Sequence, residues 1–449
     1  MEENRMDYQV LIVGGGIHGV GVLHDLATRG IGGVHLVERK VLASGTSSRS
    51  TKLLHGGLRY LEHIEQWPLV REALQERTVL TTMLNGIVRP LPFVLPCPEN
   101  GRPAWMIRFG LFLYDTFAGR SNLPRARKLN RGEIETLAPY LPKSKMETDY
   151  KKSFLYYDGQ MNDDVIVRLV AHAACKNGAT FVENTEVSAV NSIEGGFRVE
   201  LTGPTGTRVV TTKKIVNASG SWVTANLLKW GYTPTVVSLL NVGSHLVLKP
   251  DAVKGVPAES AATLFQNDDG RVVFFIPWFD KWLFGTTESI LEGSPNTLVP
   301  PPQDEDYLLR VAEKCMEIPN LNAHKQEVFA GIRMMPIRKS SQKFDSIPQD
   351  WRENPFASPF YIRQFHKSIS SLSRETVFDT HVPGMYSVYG GKFTTYRAEC
   401  QKLGASIARE LGCKAKSLTQ KIESWHLREV LSEHPDILKS KEALRHMGG

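Results

Sequence analysis

The first forty residues change hydrophobic period twice. "YQVLIV" is a short β-branched run, residues 17–28 carry apolar side chains at helical spacing, "RGIGG" breaks that pattern, and "VHLVER" is a second apolar run ending in Glu38 and Arg39. The pattern predicts strand, amphipathic helix and strand, a βαβ unit. Residues 177–223 alternate apolar and polar positions around the turn signals "EGG" and "GPTG", which predicts strand, hairpin and strand. That stretch ends in "KIVNASG", whose small residues at a strand end permit close approach of a ligand or another backbone. "VGSHLVLKP" and "RVVFFIPWFDKWLFGTTES" read as strands joined by turns. In "GMYSVYGGKFTTYRAECQKLGASIARELG" a strand meets Gly390 and Gly391 and opens a strongly helical run. "LTQKIESWHLREVLSEHPDILKSKEALRHMGG" reads as two amphipathic helices broken at His434-Pro435.

A chain of 449 residues has room for two or three packed units. Its net charge of +7 comes from scattered basic residues, which speaks against a nucleic-acid partner and suits an anionic substrate or membrane surface. Five dispersed cysteines without a CxxC pair point to a reducing compartment and give no metal-ligand spacing. The N-terminus enters a glycine turn too soon for a signal peptide, and no apolar run is long enough to cross a bilayer. Any membrane contact is therefore expected to be peripheral.

Gly14, Gly16 and Gly19 supply GxGxxG directly after the first strand, and Glu38 follows at the distance of a ribose-binding acid. The turn Gly14, Gly15, Gly16, Ile17, His18 and Gly19 is expected to carry a dinucleotide pyrophosphate at a helix N-terminus, with Glu38 and Arg39 beyond it. The next connection, "LASGTSSRSTKLLHGG", is rich in hydroxyls and glycines. Thr46, Ser47, Ser48, Lys52, Leu53, Gly56 and Gly57 are placed to run along a longer cofactor, which favours FAD over NAD. Gly391, Lys392, Phe393 and Thr394 form a second glycine-gated helix start, so the two ends of the chain are expected to build one discontinuous cofactor domain.

The blocks "GGGIHG", "TSSRSTKLLHGGLRYLE", "RPAWMIRFGLFLYD", "VNASGSWV", "GSHLVL", "IPWFDKWLFGTTE", "GIRMMP" and "YGGKFTTYR" resemble, in order and spacing, the FAD-dependent glycerol-3-phosphate dehydrogenases of the aerobic, respiratory type. The resemblance runs from about Asp7 to Arg397. It implies an α/β fold, with a discontinuous Rossmann-like FAD domain of glutathione-reductase type (1–85, 150–235 and 376–400), an antiparallel-sheet substrate domain (86–149 and 236–375) and a short C-terminal helical segment (401–449). Cofactor contacts extend by the same resemblance to Val187, Ala218, Gly220 and Trp222. His55, Arg59 and Tyr60 would face the substrate pocket, Arg333 would clamp phosphate with Arg59, and Lys392 would hold substrate or the flavin edge. His55 and His245 compete as general base, and the sequence does not choose between them.

The implied reaction is oxidation of sn-glycerol 3-phosphate to dihydroxyacetone phosphate, with electrons passed to a quinone at the inner face of the cytoplasmic membrane. An oxidase making hydrogen peroxide, or an enzyme for another hydroxy acid or amine, are the alternatives; an oligomer is left open. Three features depart from the family. Val242 stands where relatives often place a Lys before GSH, the C-terminal helical domain is reduced, and residues 338–378 form a long polar stretch. Trp105, Trp278 and Trp282 are expected in the core or pocket wall, and the stretch from Pro103 to Asp115 in substrate-domain packing rather than against lipid.

Overall fold

The structure is a computed structural model describing residues 6–98, 101–253, 260–267, 271–318, 320–337, 354–356 and 375–439. Two sheets organise it. In the first, Met385–Tyr389, Gly206–Asn217, Tyr8–Val13, Val34–Val37 and Thr180–Val182 run parallel in that order. Val377–Val382 closes one edge antiparallel, and a meander of Glu186–Ile193 and Gly196–Gly203 extends from Gly206–Asn217. A parallel sheet is covered on both faces, so its central strands bury side chains on both sides, and all four residues of Val34–Val37, His35 among them, are buried. The helix Ile17–Thr28 packs between Asp163–Lys176 and Tyr396–Glu410, which brings the two glycine-gated helix starts side by side.

The second sheet is mostly antiparallel. Lys325–Ile337, Val237–Leu248, Lys281–Gly285, Val272–Trp278 and Ala262–Gln266 follow one another, and Ala262–Gln266 joins Arg89–Pro96 in a parallel pair. Ser153–Gln160 then pairs with Arg89–Pro96 and with Leu53–Leu54. These pairings move the expected boundary at 150. Ser153–Gln160 belongs to the second sheet, and the cofactor connection itself contributes Leu53 and Leu54 to that sheet. The helix Pro302–Met316 lies against Val237–Leu248.

The stretch expected in substrate-domain packing is the helix Ala104–Ala118. It buries only one face, with Leu111, Tyr114 and Ala118 inward, while Trp105, Phe109 and Phe112 are 72%, 52% and 62% exposed. Trp105 is therefore no core residue, whereas Trp278 and Trp282 are buried. At the other end the expected break at His434-Pro435 separates the short helix Leu427–Glu433 from a 3-10 turn at Pro435–Lys439. These pieces pack on Asp163–Lys176, and Trp425 is buried with His24 at its edge, ring centroids 5.1 Å apart. The rest of the second expected helix, and the polar stretch apart from 354–356 and 375–378, lie outside the described residues.

Candidate active site

A cavity of about 370 Å³ opens where the parallel strands end and reaches across to the second sheet. At its near end Gly14 has φ of 108°, and a Cβ on Gly19 would stand 1.8 Å from the Gly14 carbonyl oxygen. Only glycine at both positions lets the turn fold onto the helix and present its N-terminus to the cavity. Ser47 Oγ accepts the Ile17 N–H at 2.9 Å, so the hydroxyl-rich connection is tied to that helix start. Glu38 accepts the Gly15 N–H at 2.6 Å and the Lys40 N–H at 2.8 Å, which holds its carboxylate on the cavity rim. Arg39 lies over the Trp222 ring at 4.8 Å, and both donate to Asn296.

The far end gathers the remaining candidates. His18, at the first helix start, stands 2.8 Å from Glu399 in the second, and its ring fills the space beside Gly391. Lys392 Nζ lies 4.7 Å above the Tyr60 ring. The His55 N–H donates to Thr394 Oγ1 at 3.2 Å, and its ring lies 6.3 Å from that of Phe274. His245 stacks on Phe329 with its Nε2 3.0 Å from Thr51 Oγ1. Burial, with Arg333 and Lys52 adding positive charge nearby, pushes this imidazole down to about 3, so it is neutral at neutral pH. Arg333 donates to Asn241 Oδ1 at 3.1 Å, the Thr287 carbonyl at 3.2 Å and Thr286 Oγ1 at 2.8 Å.

Most of the residues singled out in the sequence line this cavity, from Gly14 and Glu38 through Thr46, Leu53 and Val187 to Ala218, Gly220, Phe393 and Thr394. Several stand behind the wall instead. Lys52 is buried with its Nζ bonded to Asp163 at 2.7 Å and the Ser48 carbonyl at 2.6 Å, so its charge braces the connection and is not offered to a cofactor. Ser48 Oγ turns back to the Gly45 carbonyl. Gly15 and Gly19 shape the turn from behind. Gly56 donates its N–H to Tyr114 at 2.8 Å, and Gly57 takes φ of 78° to continue the bend. Arg59 faces Glu288 at 4.0 Å and lies over Tyr60 at 5.3 Å, beside the cavity and not in its lining.

Val242 removes no cation from this site. Strand alternation puts Asn241, Gly243 and His245 on the cavity side, and Val242, 1% exposed, on the opposite face with Ser244. Sequence reading gave no role to Asp163, Tyr114, Glu399, Asn241, Thr286 and Thr287, because the contacts that bring them to the site are made to Lys52, Gly56, His18 and Arg333, all distant in the chain. Among the described residues no cluster of His, Cys, Asp and Glu could hold a metal ion.

The donor set fits FAD. A glycine turn at a helix N-terminus suits a pyrophosphate, the rim carboxylate suits a ribose, and the buried His245 Nδ1 has no hydrogen-bond partner among the described residues, as expected of a wall meant for a ligand. The family profile described as FAD dependent oxidoreductase matches residues 9–355. The chain belongs to this FAD-dependent oxidoreductase family, and FAD is its cofactor. The chain is 37% identical over 395 residues to the D-erythritol 1-phosphate dehydrogenase of Brucella abortus, covering 86% of this chain and 71% of the relative. It is 36% identical over 410 residues to the glycerol-3-phosphate dehydrogenase of Pseudomonas aeruginosa, covering 90% and 71%. The fold of this FAD-dependent oxidoreductase is that of the Bacillus halodurans glycerol-3-phosphate dehydrogenase complexed with FAD, with a TM-score of 0.68 at 22% identity over 96% of this chain and 72% of that one.

Proposed function

We propose that this FAD-dependent oxidoreductase oxidises sn-glycerol 3-phosphate at C2 to dihydroxyacetone phosphate and delivers the electrons to a membrane quinone. The observation that carries the reading is one cavity holding a braced arginine, Arg333, together with His55, His245 and Lys392 beside a dinucleotide turn. Bound FAD supplies the hydride acceptor. Gly16, at the start of the helix Ile17–Thr28, with the Ser47 hydroxyl beside it, would hold its pyrophosphate, Glu38 its ribose, and the Gly391–Thr394 helix start its flavin end.

Arg333 is the phosphate clamp, since a guanidinium fork stays charged and bonds two oxygens at once. Lys392 adds a second cation at the flavin end. His55 takes the proton of the C2 hydroxyl. His55 is half-buried in the cavity lining, whereas His245 is deeply buried and too weakly basic for the role. His245 then serves as a neutral hydrogen-bonding wall.

Support for quinone delivery at a membrane comes from the helix Ala104–Ala118. Trp105, Arg108, Phe109 and Phe112 are exposed on it, an aromatic and cationic surface suited to lying in the headgroup region of an anionic bilayer. Among the described residues no helix is long and apolar enough to cross a membrane. The inward face of the same helix carries Tyr114, bonded to Gly56 in the turn beside His55, so the aromatic surface lies one helix width from the site.

The Brucella relative favours a second reading, in which the substrate is D-erythritol 1-phosphate. Anaerobic mixing of the yellow holoenzyme with each phosphate separates the two. Rapid loss of oxidised-flavin absorbance with sn-glycerol 3-phosphate, and reoxidation by soluble quinone faster than by air, is expected. Bleaching by D-erythritol 1-phosphate alone would replace the substrate, and fast reoxidation by air would make the protein an oxidase.

A further inference from the structure

We infer that Asp304 is a positioning residue for Arg333: its buried carboxylate pins the two chain segments that grip the guanidinium, and thereby sets the cavity's affinity for a phosphate monoester. The inference rests on the reading of Arg333 as the anion clamp.

Asp304 is 4% exposed and lies in the first turn of the helix Pro302–Met316, where the positive end of the helix favours a carboxylate. A buried carboxylate must be hydrogen-bonded, and here three hydroxyls do it. Ser244 Oγ donates to Oδ2 at 2.7 Å, Thr287 Oγ1 donates to Oδ2 at 2.5 Å, and Ser289 Oγ donates to Oδ1 at 2.5 Å. Each hydroxyl has one proton, so each bond fixes a rotor. Thr287 Oγ1, its proton committed to Asp304, accepts the Ser244 N–H at 2.9 Å. The carboxylate thus reinforces from behind the antiparallel pairing that joins the strand Val237–Leu248 to Ser289–Ile290, and fixes the Thr287 side chain on it.

On the cavity side those same two segments supply the acceptors for Arg333. The Thr287 carbonyl and Thr286 Oγ1 come from one, Asn241 Oδ1 from the other. Gly243 completes the seat, since a Cβ there would stand 2.4 Å from a guanidinium nitrogen. Asp304 touches neither the cavity lining nor Arg333, so it acts only through Thr287 and the strand. Replacing it by Asn leaves at least one hydroxyl facing an N–H donor, which frees the segment and loosens the plane of the guanidinium. A clamp that must be ordered by its ligand binds more weakly.

The test is a double-mutant cycle on the holoenzyme. Asp304→Asn is expected to raise both the KM for sn-glycerol 3-phosphate and the inhibition constant of inorganic phosphate about tenfold, the loss of roughly one hydrogen bond to a charged group, with kcat changed less than about twofold. In an Arg333→Ala background the same substitution should change KM by less than about twofold, because the route through Arg333 is gone. Ser289→Ala, which deletes one hydroxyl and keeps the charge, should raise KM about threefold and serves if Asp304→Asn fails to fold with FAD. An equal penalty with and without Arg333, or a fall in kcat at unchanged KM, would overturn the positioning role. Arg333→Ala leaving both constants unchanged would overturn the clamp reading itself, and this inference with it.

Discussion

His18 Nε2 lies 2.8 Å from Glu399 Oε2, a contact that joins helix starts 381 positions apart in the chain. Burial alone would raise the Glu399 carboxyl, yet its bond to His18 carries it below the ordinary carboxylate range, so the acid is ionised at neutral pH. Thr395, at the second helix start, donates to the same carboxylate. The pair therefore closes the cofactor cavity between Ile17 and Gly391.

Glu399→Ala should release FAD faster, by about tenfold for the loss of one charge-assisted bond. Recovery of free-flavin fluorescence after dilution measures it. Glu399→Gln, which keeps an acceptor for Thr395, should fall between that variant and the parent protein. FAD retention unchanged in Glu399→Ala would mean that the helices Ile17–Thr28 and Tyr396–Glu410 hold the cavity closed by packing alone.

The two histidines at the far end should separate kinetically. His55→Asn is expected to lower kcat by a hundredfold or more, within the usual range for losing a general base, and to abolish the rising limb of the pH profile. His245→Asn removes a group already neutral, so the limb should survive, with a rise in KM of about tenfold for one lost hydrogen bond. A limb that vanishes in His245→Asn and persists in His55→Asn reverses the assignment.

Much of this architecture is legible along the chain, for a local reason. The turn Gly14 to Gly19 and the start at Gly391 announce themselves because a strand period, a glycine and a helix period follow one another within a few residues. What is illegible depends on partners far away. Lys52 reads as a cofactor contact because Asp163, which takes its charge, lies 111 residues on. Val242 reads as a missing cation because period two tells which residues share a face, not which face looks into the cavity. Ser153–Gln160 reads with the first domain because a strand's sequence does not name the sheet it joins. Trp105 reads as core because an apolar helix face looks the same whether covered by protein or left exposed.

That exposed face yields a binding prediction. Replacing Trp105, Phe109 and Phe112 together by Ser removes most of the apolar surface offered by the helix Ala104–Ala118 while leaving Tyr114 and its bond to Gly56 in place. Flotation with anionic phosphatidylglycerol vesicles should fall at least about tenfold, since burying an aromatic side chain is worth about 1.5–3 kcal/mol. Flavin reduction by substrate in solution should be unchanged. Equal flotation of the variant and the parent protein would remove this helix as the docking surface.

Acid should unfold the protein through its buried histidines, and the sign follows from their shifts. Burial pushes His24 and His35 from 6.5 down to about 4, and His245 to about 3. Each is neutral in the fold and takes up its proton more readily when unfolded. Their contribution to stability is complete above 6.5 and is lost progressively as pH falls toward 4. Asp158 works the other way. Burial, against the opposing charge of Arg77, raises it from 3.8 to about 6, so the folded state holds the extra proton and gains stability as pH falls through that window. Burial also depresses His172, to about 4, and His381, and raises Asp25, Glu76 and Asp115 as it does Asp158. The histidines carry the larger sum, and urea midpoints should drop between pH 6.5 and 4.5. His24 is the clearest single test, because its Nε2 lies 3.0 Å from the Ser424 carbonyl and its ring meets Trp425. His24→Gln costs some stability at pH 7.5 through that lost contact, so the informative quantity is the pH slope. The slope should flatten by close to one proton, worth at most about 3 kcal/mol between pH 6.5 and 4. An unchanged slope would mean that His24 gains access to water at low pH, by local release of the segment at Ser424 and Trp425 before global unfolding.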